Sequence, residues 1–120
     1  MIRLMVVDDD PFLIDLFEAA QVSYDFEVVG TAFDGKEALE VYPRIVPRPD
    51  AVIMDQRMPI MCGTDCTRSI LKMDPQARIV FVSGEDGMRN EALSTGAIAF
   101  IEKPFGMRFL MEALKGLGIE

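Results

Sequence analysis

The chain of 120 residues contains no histidine. This absence excludes Ser-His-Asp and Cys-His catalysis, and it excludes most zinc sites. Positive charge is also scarce, because 12 Lys and Arg stand against 20 Asp and Glu, for a net charge of -8. Neutralisation of phosphates supplies most of the affinity of nucleic-acid-binding proteins. We therefore expect no direct contact between this domain and nucleic acid.

Cysteines and long apolar runs are few as well. Cys62 and Cys66 are four residues apart at the predicted start of a helix, which is a poor arrangement for a disulfide, and we expect two thiols in a reducing compartment. No apolar run reaches the roughly 18 residues of a membrane span. The start of the chain, Met1 to Leu4, leads directly into a strand-like run and is unlike a signal peptide. We expect a cytoplasmic protein with one domain over residues 1–120 and no contact with a membrane.

The stretch from Ala51 to Asp55 is the clearest feature that the chain does contain. Four apolar residues lead into one carboxylate, a pattern typical of a strand buried on both faces. Similar apolar runs alternate with helical patterns along the whole chain, which predicts an α/β fold with a parallel sheet covered on both faces. The predicted strands are 2–7, 27–33, 51–55, 77–82 and 97–101. The predicted helices begin at Pro11, cover 36–42, follow Gly63, cover 86–94 and include 109–117.

Polar or charged residues stand where four of these five strands end. Because parallel strands end at the same edge of a sheet, these side chains are expected to lie together near the topological switch point. They are Asp8 and Asp9 after the first strand, Asp55 at the end of the third, Ser83 after the fourth and Lys103 after the fifth.

This combination of side chains has a specific chemistry. Three clustered carboxylates repel one another, and a divalent cation relieves that repulsion. Oxygen ligands favour Mg²⁺, while a lysine and a hydroxyl can neutralise and hydrogen-bond an anionic group. Such a site suits phosphoryl transfer, in which a carboxylate can itself be the nucleophile and form an aspartyl phosphate.

At these residues the sequence resembles the receiver domain of two-component response regulators, the CheY-like family. The resemblance covers essentially the whole chain and implies a (βα)5 flavodoxin-like, doubly wound fold with strand order 2-1-3-4-5. The matching segments are Val6-Val7-Asp8-Asp9-Asp10, Met54-Asp55-Gln56-Arg57-Met58-Pro59, Val82-Ser83-Gly84 and Lys103-Pro104-Phe105.

The resemblance also implies a role for each acidic residue of the site. Asp55 corresponds to the phosphoacceptor. Asp9 and Asp55 correspond to direct ligands of Mg²⁺, or of another divalent cation such as Mn²⁺. The backbone carbonyl of Arg57 would be a third ligand, and Asp8 would act on the metal through water.

The remaining roles concern the response to the phosphoryl group. By resemblance, Ser83 and Lys103 contact the phosphoryl oxygens. Ser83 moves toward the phosphate and Phe100 follows it inward, so that the surface of the fourth helix, fifth strand and fifth helix changes.

The resemblance implies a phosphorylation-activated switch. The phosphoryl group would come from a phosphohistidine of a sensor histidine kinase or of a histidine phosphotransfer protein. The changed surface would control a downstream effector or output domain, and a homodimer through this surface is known among receivers. The domain would promote its own phosphorylation and dephosphorylation, but it would turn over no separate substrate.

Two places where this chain differs from other receivers lead to further predictions. Arg57 and Glu85, two residues after the acceptor and two after the hydroxyl residue, occupy variable positions. Their opposite charges predict an ion pair across the mouth of the site. The family often has Met-Asp-Gly where this chain has Met61-Cys62-Gly63, and cysteine is a poor helix cap. The third helix would then begin less firmly, unless Thr64 or a backbone turn substitutes.

Three other interpretations account for parts of the sequence. A haloacid dehalogenase-type phosphatase would use Asp8 as its nucleophile, but it needs an acidic pair after the lysine, and the first acid after Lys103 is Glu112. A flavodoxin-type FMN carrier needs a phosphate loop where the aspartates stand. A degenerate receiver that only binds partners would lack site residues, and every site position is filled.

Overall fold

The computed structural model describes all 120 residues. Five strands alternate with five helices, and a short 3-10 turn at Tyr42–Arg44 follows the second helix. The strands are β1 (Ile2–Val7), β2 (Phe26–Ala32), β3 (Ala51–Asp55), β4 (Ile79–Ser83) and β5 (Ala99–Glu102). The helices are α1 (Pro11–Ala20), α2 (Gly35–Val41), α3 (Gly63–Met73), α4 (Met88–Ser94) and α5 (Met107–Gly116).

The strands form one parallel sheet in the order β2-β1-β3-β4-β5. This arrangement confirms the predicted fold class and strand order. The chain passes from β1 outward to β2 on one side, and then returns to β3 on the other side of β1. The crevice beyond the carboxyl ends of β1 and β3 is therefore the topological switch point, where open α/β sheets bind their ligands.

Helices cover both faces of the sheet and create two apolar cores. Because side chains alternate along a strand, Leu4 and Val6 of β1 pack on one face, with α1 and α5. Met5 and Val7 pack on the other face, with α2, α3 and α4. Burial on both faces explains why the strands appear in the sequence as nearly continuous apolar runs.

Several element boundaries differ from the prediction. Ala77 is buried but belongs to a turn, since its N–H donates to the carbonyl of Asp74, and β4 begins only at Ile79. Asp34 is the N-cap of α2, which begins at Gly35 rather than at residue 36. The third helix, which was predicted only to follow Gly63, begins at Gly63 and ends at Met73, whose side chain is 48% exposed.

The lengths of the helices also bear on membrane insertion. None of them combines the length and the hydrophobicity needed to cross a membrane.

Candidate functional site

The loop after β1 contributes two acidic side chains with different surroundings. Asp8 is 1% exposed, and one of its carboxylate oxygens accepts a hydrogen bond of 2.9 Å from the backbone N–H of Asp10. Asp9 is exposed. Asp10 caps α1 by accepting from the N–H of Phe12 at 2.9 Å, and Pro11 begins the helix, as predicted. This cap fixes the turn that holds Asp8 and Asp9 at the edge of the sheet.

The other strand ends bring three further side chains to the same edge. Asp55 ends β3 and is 6% exposed, and Ser83 ends β4 and is 2% exposed. Lys103 follows β5, where its backbone N–H donates to the carbonyl of Ser83 at 3.0 Å. The five residues that the sequence placed at this edge therefore lie together.

Lys103 joins the first and third strands through its ammonium group. Nζ donates to a carboxylate oxygen of Asp8 at 2.9 Å and to one of Asp55 at 3.1 Å. The lysine side chain is 27% exposed, while the two carboxylates are nearly buried. Because these charges are shielded from water, removal of Lys103 would leave buried carboxylates uncompensated, which is more destabilising than the loss of a surface ion pair.

The carboxylates of Asp8, Asp9 and Asp55 form a cluster that could hold a cation. One oxygen from each residue can be chosen so that all three lie within 4.8 Å of one another. An exposed carboxylate beside two buried ones leaves one side open to water. Because Mg²⁺ prefers oxygen ligands and retains several of its waters, the donor set and its accessibility fit this ion.

Burial and like charge shape the ionisation of the site. Burial, together with the negative charge of Asp8, raises the pKa of Asp55 above its usual range, although the ammonium of Lys103 partly offsets this effect. Burial lowers the pKa of Lys103, but its hydrogen bonds and charge interactions with Asp8 and Asp55 outweigh that effect and raise the pKa overall. The lysine therefore stays cationic, and a further positive charge near Asp55 would favour the ionised form of that carboxylate.

These side chains line an open cavity of about 370 Å³ in which no lining residue is hydrophobic. Arg57 and Glu85 form its rim. The guanidinium donates to one oxygen of Glu85 through two nitrogens, at 3.1 and 3.0 Å, which confirms the predicted ion pair. The Arg57 side chain is 83% exposed, so the pair lies over the mouth of the cavity rather than within it.

Ser83 and Phe100 lie at different distances from the acidic pocket. The Ser83 hydroxyl oxygen faces the pocket and accepts a hydrogen bond of 3.0 Å from the N–H of Glu85. Phe100 is half-buried outside it, stacked on Phe81 with the ring centroids 6.3 Å apart. The guanidinium carbon of Arg89 lies 5.1 Å from the centre of the Phe100 ring.

Phe100 and Arg89 also line a second, larger groove. Its volume is about 610 Å³, and seven of its 11 lining residues are hydrophobic. The groove runs between β5 and α5 and includes Phe105, Phe109 and Leu117. It lies on the surface that the resemblance associated with signalling.

Two residues near these features were missed in the sequence. The Gln56 side chain accepts from the N–H of Thr64 at 2.9 Å and so caps α3, a task that the sequence had offered to Thr64 or a backbone turn. Arg89 was not singled out at all. The one available signal for Gln56 was indirect, since a helix with cysteine at its N-cap needs another acceptor.

Comparison with known proteins places this geometry in a family. A family model described as the response regulator receiver domain matches residues 4–115. The chain belongs to this family. It is therefore a CheY-like receiver domain of two-component signalling with an acidic pocket at the carboxyl edge of its sheet.

Individual relatives agree with this assignment. The chain is 40% identical over 114 residues to the chemotaxis protein CheY of Thermotoga maritima, and the match covers 93% of each protein. It is 40% identical over 110 residues to a protein-glutamate methylesterase/protein-glutamine glutaminase of Methanococcus maripaludis, a match covering 88% of this chain and 29% of that protein. The receiver thus matches both small proteins and part of a larger one.

A solved structure provides the same comparison in three dimensions. The receiver superposes with a TM-score of 0.89 and 29% identity on a chain from the CheX–CheY–BeF3–Mg²⁺ complex of Borrelia burgdorferi. The match covers 99% of this chain and 90% of that chain.

Proposed function

We propose that this receiver is a phosphorylation-activated switch that accepts a phosphoryl group on Asp55. The observation that carries the proposal is the position of Lys103, whose ammonium bonds to both Asp8 and Asp55 in a cavity that no hydrophobic residue lines. This arrangement places a cation beside a buried carboxylate, with a hydroxyl on the adjacent strand. Catalysis of phosphoryl transfer depends mainly on such positioning and charge neutralisation.

The donor in this proposal is a phosphohistidine of a sensor kinase or of a phosphotransfer protein. A carboxylate oxygen of Asp55 attacks phosphorus, so an O–P bond forms as the P–N bond to the donor imidazole breaks. The electron pair of the broken bond stays with the imidazole. In this proposal Lys103 and the Ser83 hydroxyl contact the phosphoryl oxygens, and the bond between Lys103 and the attacking carboxylate supports that role for the lysine.

Asp9, Asp55 and the backbone carbonyl of Arg57 would hold Mg²⁺, or another divalent cation such as Mn²⁺. The ion supplies charge neutralisation for the carboxylates and for the transferred group. Asp8 would act through water, because one of its oxygens accepts from the N–H of Asp10 and the other accepts from Lys103.

The response to phosphorylation would run from Ser83 to the groove beside β5. Movement of Ser83 toward the phosphoryl group opens space that Phe100 can enter, which changes the surface formed by α4, β5 and α5. A phosphoryl group can shift this equilibrium only through contacts that differ between the two states. The contacts with Ser83 and Lys103 provide that difference.

The groove suggests where a downstream partner binds. It combines aromatic side chains with the guanidinium of Arg89, and it changes shape if Phe100 moves. We propose that an effector or output domain, or a second copy of the receiver, binds there. The Borrelia relative was solved in complex with CheX, which supports partner binding as the task of such receivers. In this proposal the domain acts in the cytoplasm and turns over no separate substrate.

The test is the intact mass of the protein after incubation with acetyl phosphate, with and without Mg²⁺. The wild type should gain one phosphoryl group in a Mg²⁺-dependent and hydrolytically labile manner, and Asp55→Asn should gain none. Asp8→Asn should require more Mg²⁺. Asp15→Asn is the matched control, because Asp15 is an exposed acid on α1 that does not line the cavity.

The opposite result would have a definite meaning. An adduct that survives in Asp55→Asn but disappears in Asp8→Asn would place the nucleophile on the first strand. Hydrolysis of phosphate esters by that protein would then favour the phosphatase interpretation.

A further inference from the structure

The helix that follows the acceptor strand lacks a cap of its own. Cys62 occupies the N-cap position of α3, and its side chain makes no capping hydrogen bond to the backbone. Its Sγ instead lies 3.3 Å from the hydroxyl of Thr64. The first turn of a helix leaves N–H groups without partners inside the helix, and those of Gly63 and Thr64 are buried here. They need acceptors from elsewhere in the chain.

Gln56 supplies both acceptors. Its backbone carbonyl accepts from the N–H of Gly63 at 3.0 Å, and its side-chain oxygen accepts from the N–H of Thr64 at 2.9 Å. Gly63 approaches so closely that a Cβ there would overlap the carbonyl oxygen of Asp55. Gln56 therefore holds the start of α3 directly against the end of β3, the strand that ends at Asp55.

The two hydrogen bonds that Gln56 accepts close a loop that contains Arg57. Residues 57–62 connect Gln56, which follows β3, to the first turn of α3. Within this loop Ile60 has a φ of 71°. That conformation is unfavourable for a β-branched residue and persists only where the surroundings enforce it. A hydrogen bond of 2.7 Å from Met61 N–H to the Pro59 carbonyl spans the same turn. The strained conformation of Ile60 is thus maintained by the bonds of Gln56 at the end of the loop together with this turn, rather than by the backbone preference of Ile60.

We propose that Gln56 is a positioning residue for the metal site. Its side chain adds a second bond to the first turn of α3 beside the one made by its backbone carbonyl, and so fixes the direction of the Arg57 carbonyl, which would otherwise follow the relaxation of Ile60. The inference rests on the proposed function, in which that carbonyl is a ligand of Mg²⁺. Residues that orient ligands without touching the metal commonly change metal affinity by about 10- to 100-fold when they are removed.

The experiment separates positioning of the loop from capping of the helix. Gln56→Leu removes the side-chain acceptor. Cys62→Asp places a good capping residue at the N-cap of α3 without restoring the link to β3. Metal-free wild type, Gln56→Leu, Cys62→Asp and the double variant are titrated with Mg²⁺ by calorimetry, and the unfolding midpoint of each is measured in urea without metal. Gln76→Leu is the matched control, because Gln76 is exposed beyond the far end of α3.

We expect Gln56→Leu to bind Mg²⁺ about tenfold more weakly and to unfold at lower urea. In the double variant the unfolding midpoint should recover while the Mg²⁺ affinity stays low. Full recovery of affinity in the double variant, or unchanged affinity in Gln56→Leu, would overturn the positioning role. If the wild type itself bound no Mg²⁺, the proposed metal site would fail, and this inference would fail with it.

Discussion

Asp8 and Asp55 are the two charged side chains among the 39 buried residues of the chain. Burial of a carboxylate is unfavourable unless an opposite charge and hydrogen bonds compensate. Lys103 provides one ammonium for the two carboxylates, which leaves a surplus of negative charge. Burial first, and then the negative charge of Asp8, raises the pKa of Asp55. Excess negative charge at a site favours the binding of a cation. Burial of the same charge is unfavourable for stability, which is why such an arrangement points to a functional site.

The first prediction concerns the rim of this site. If Arg57 and Glu85 screen an acyl phosphate from water, removal of either side chain should shorten the lifetime of the phosphoryl group without changing the acceptor. Because an exposed pair is worth under about 1 kcal/mol, we expect an effect of up to about fivefold. The decay of the labile mass adduct after removal of phosphodonor gives the lifetime of Arg57→Ala and Glu85→Ala. Unchanged decay in both variants would show that the pair has no protective role.

Residues differ in how well the sequence predicted them. Asp55, Ser83 and Lys103 were predictable because each comes at the end of a short apolar run typical of a buried strand, and parallel strands share an edge. Arg57 and Glu85 followed from opposite charges on adjacent loops. Gln56 was not predictable in the same way, because its partner Thr64 is brought to it by the closure of a loop.

At the scale of elements, β5 and α4 form a small unit around Phe100. The ring stacks on Phe81 of the neighbouring strand and is covered by Arg89 from α4. A guanidinium over an aromatic face stabilises that arrangement by about 0.5–1 kcal/mol at an exposed site. Arg89 therefore favours the position of Phe100 seen here over an inward one.

This contact leads to the second prediction. Arg89→Ala should increase the fraction of molecules with Phe100 inward by about two- to fivefold, the change that corresponds to a cation–π contact of 0.5–1 kcal/mol. The ring resonances of Phe100 in NMR spectra of the unphosphorylated variant should move toward those of the phosphorylated wild type. Arg108→Ala removes another exposed arginine, from α5, and is the control. Identical Phe100 resonances in the wild type and Arg89→Ala would contradict the idea.

The connection between α2 and β3 is joined to the end of α3 through Asp74. Its carboxylate accepts from Arg48 Nε at 2.7 Å and from the hydroxyl of Tyr42 at 2.8 Å. The bonds from Arg48 and then Tyr42 lower the pKa of Asp74. The prolines at 43, 47 and 49 made this connection the hardest to predict from sequence, since proline shows where a helix stops but not where the chain goes next.

The third prediction follows from the sign of this pKa shift. A carboxyl whose pKa is lower in the folded protein contributes stability above its unfolded pKa of about 3.9 and loses it as the pH falls through the folded value. Asp74→Asn should therefore unfold at lower urea than the wild type by a constant amount between about pH 5 and 7, and the difference should shrink below about pH 4. Asp65→Asn, which changes an exposed acid on α3, is the control. A difference that persists undiminished at pH 3 would rule out the ionic contribution.

At the scale of the whole molecule, the fold and its charge are linked through the carboxyl edge. Apolar runs that alternate with helical patterns were enough to predict the sheet and its covering helices, because this pattern is typical of parallel strands buried on both faces. The same runs did not predict the exact ends of β4 and β5, because apolar residues such as Ala77 are also buried in turns.

A net charge of -8 means that any cation shields the molecule to some degree. Specific binding must therefore be separated from general screening.

The fourth prediction makes that separation. A ligand that binds only the folded state stabilises it by about 2.7 kcal/mol when present at 100 times its dissociation constant. Mg²⁺ at that excess should raise the free energy of unfolding of the wild type by about this amount. Asp9→Asn removes a proposed ligand that is exposed, so the fold should survive while most of the gain disappears. Urea unfolding with MgCl₂, compared with NaCl of equal ionic strength, measures the specific part. If NaCl reproduces the whole effect, or if Asp9→Asn gains as much as the wild type, the carboxylate cluster responds to Mg²⁺ only as a region of negative charge.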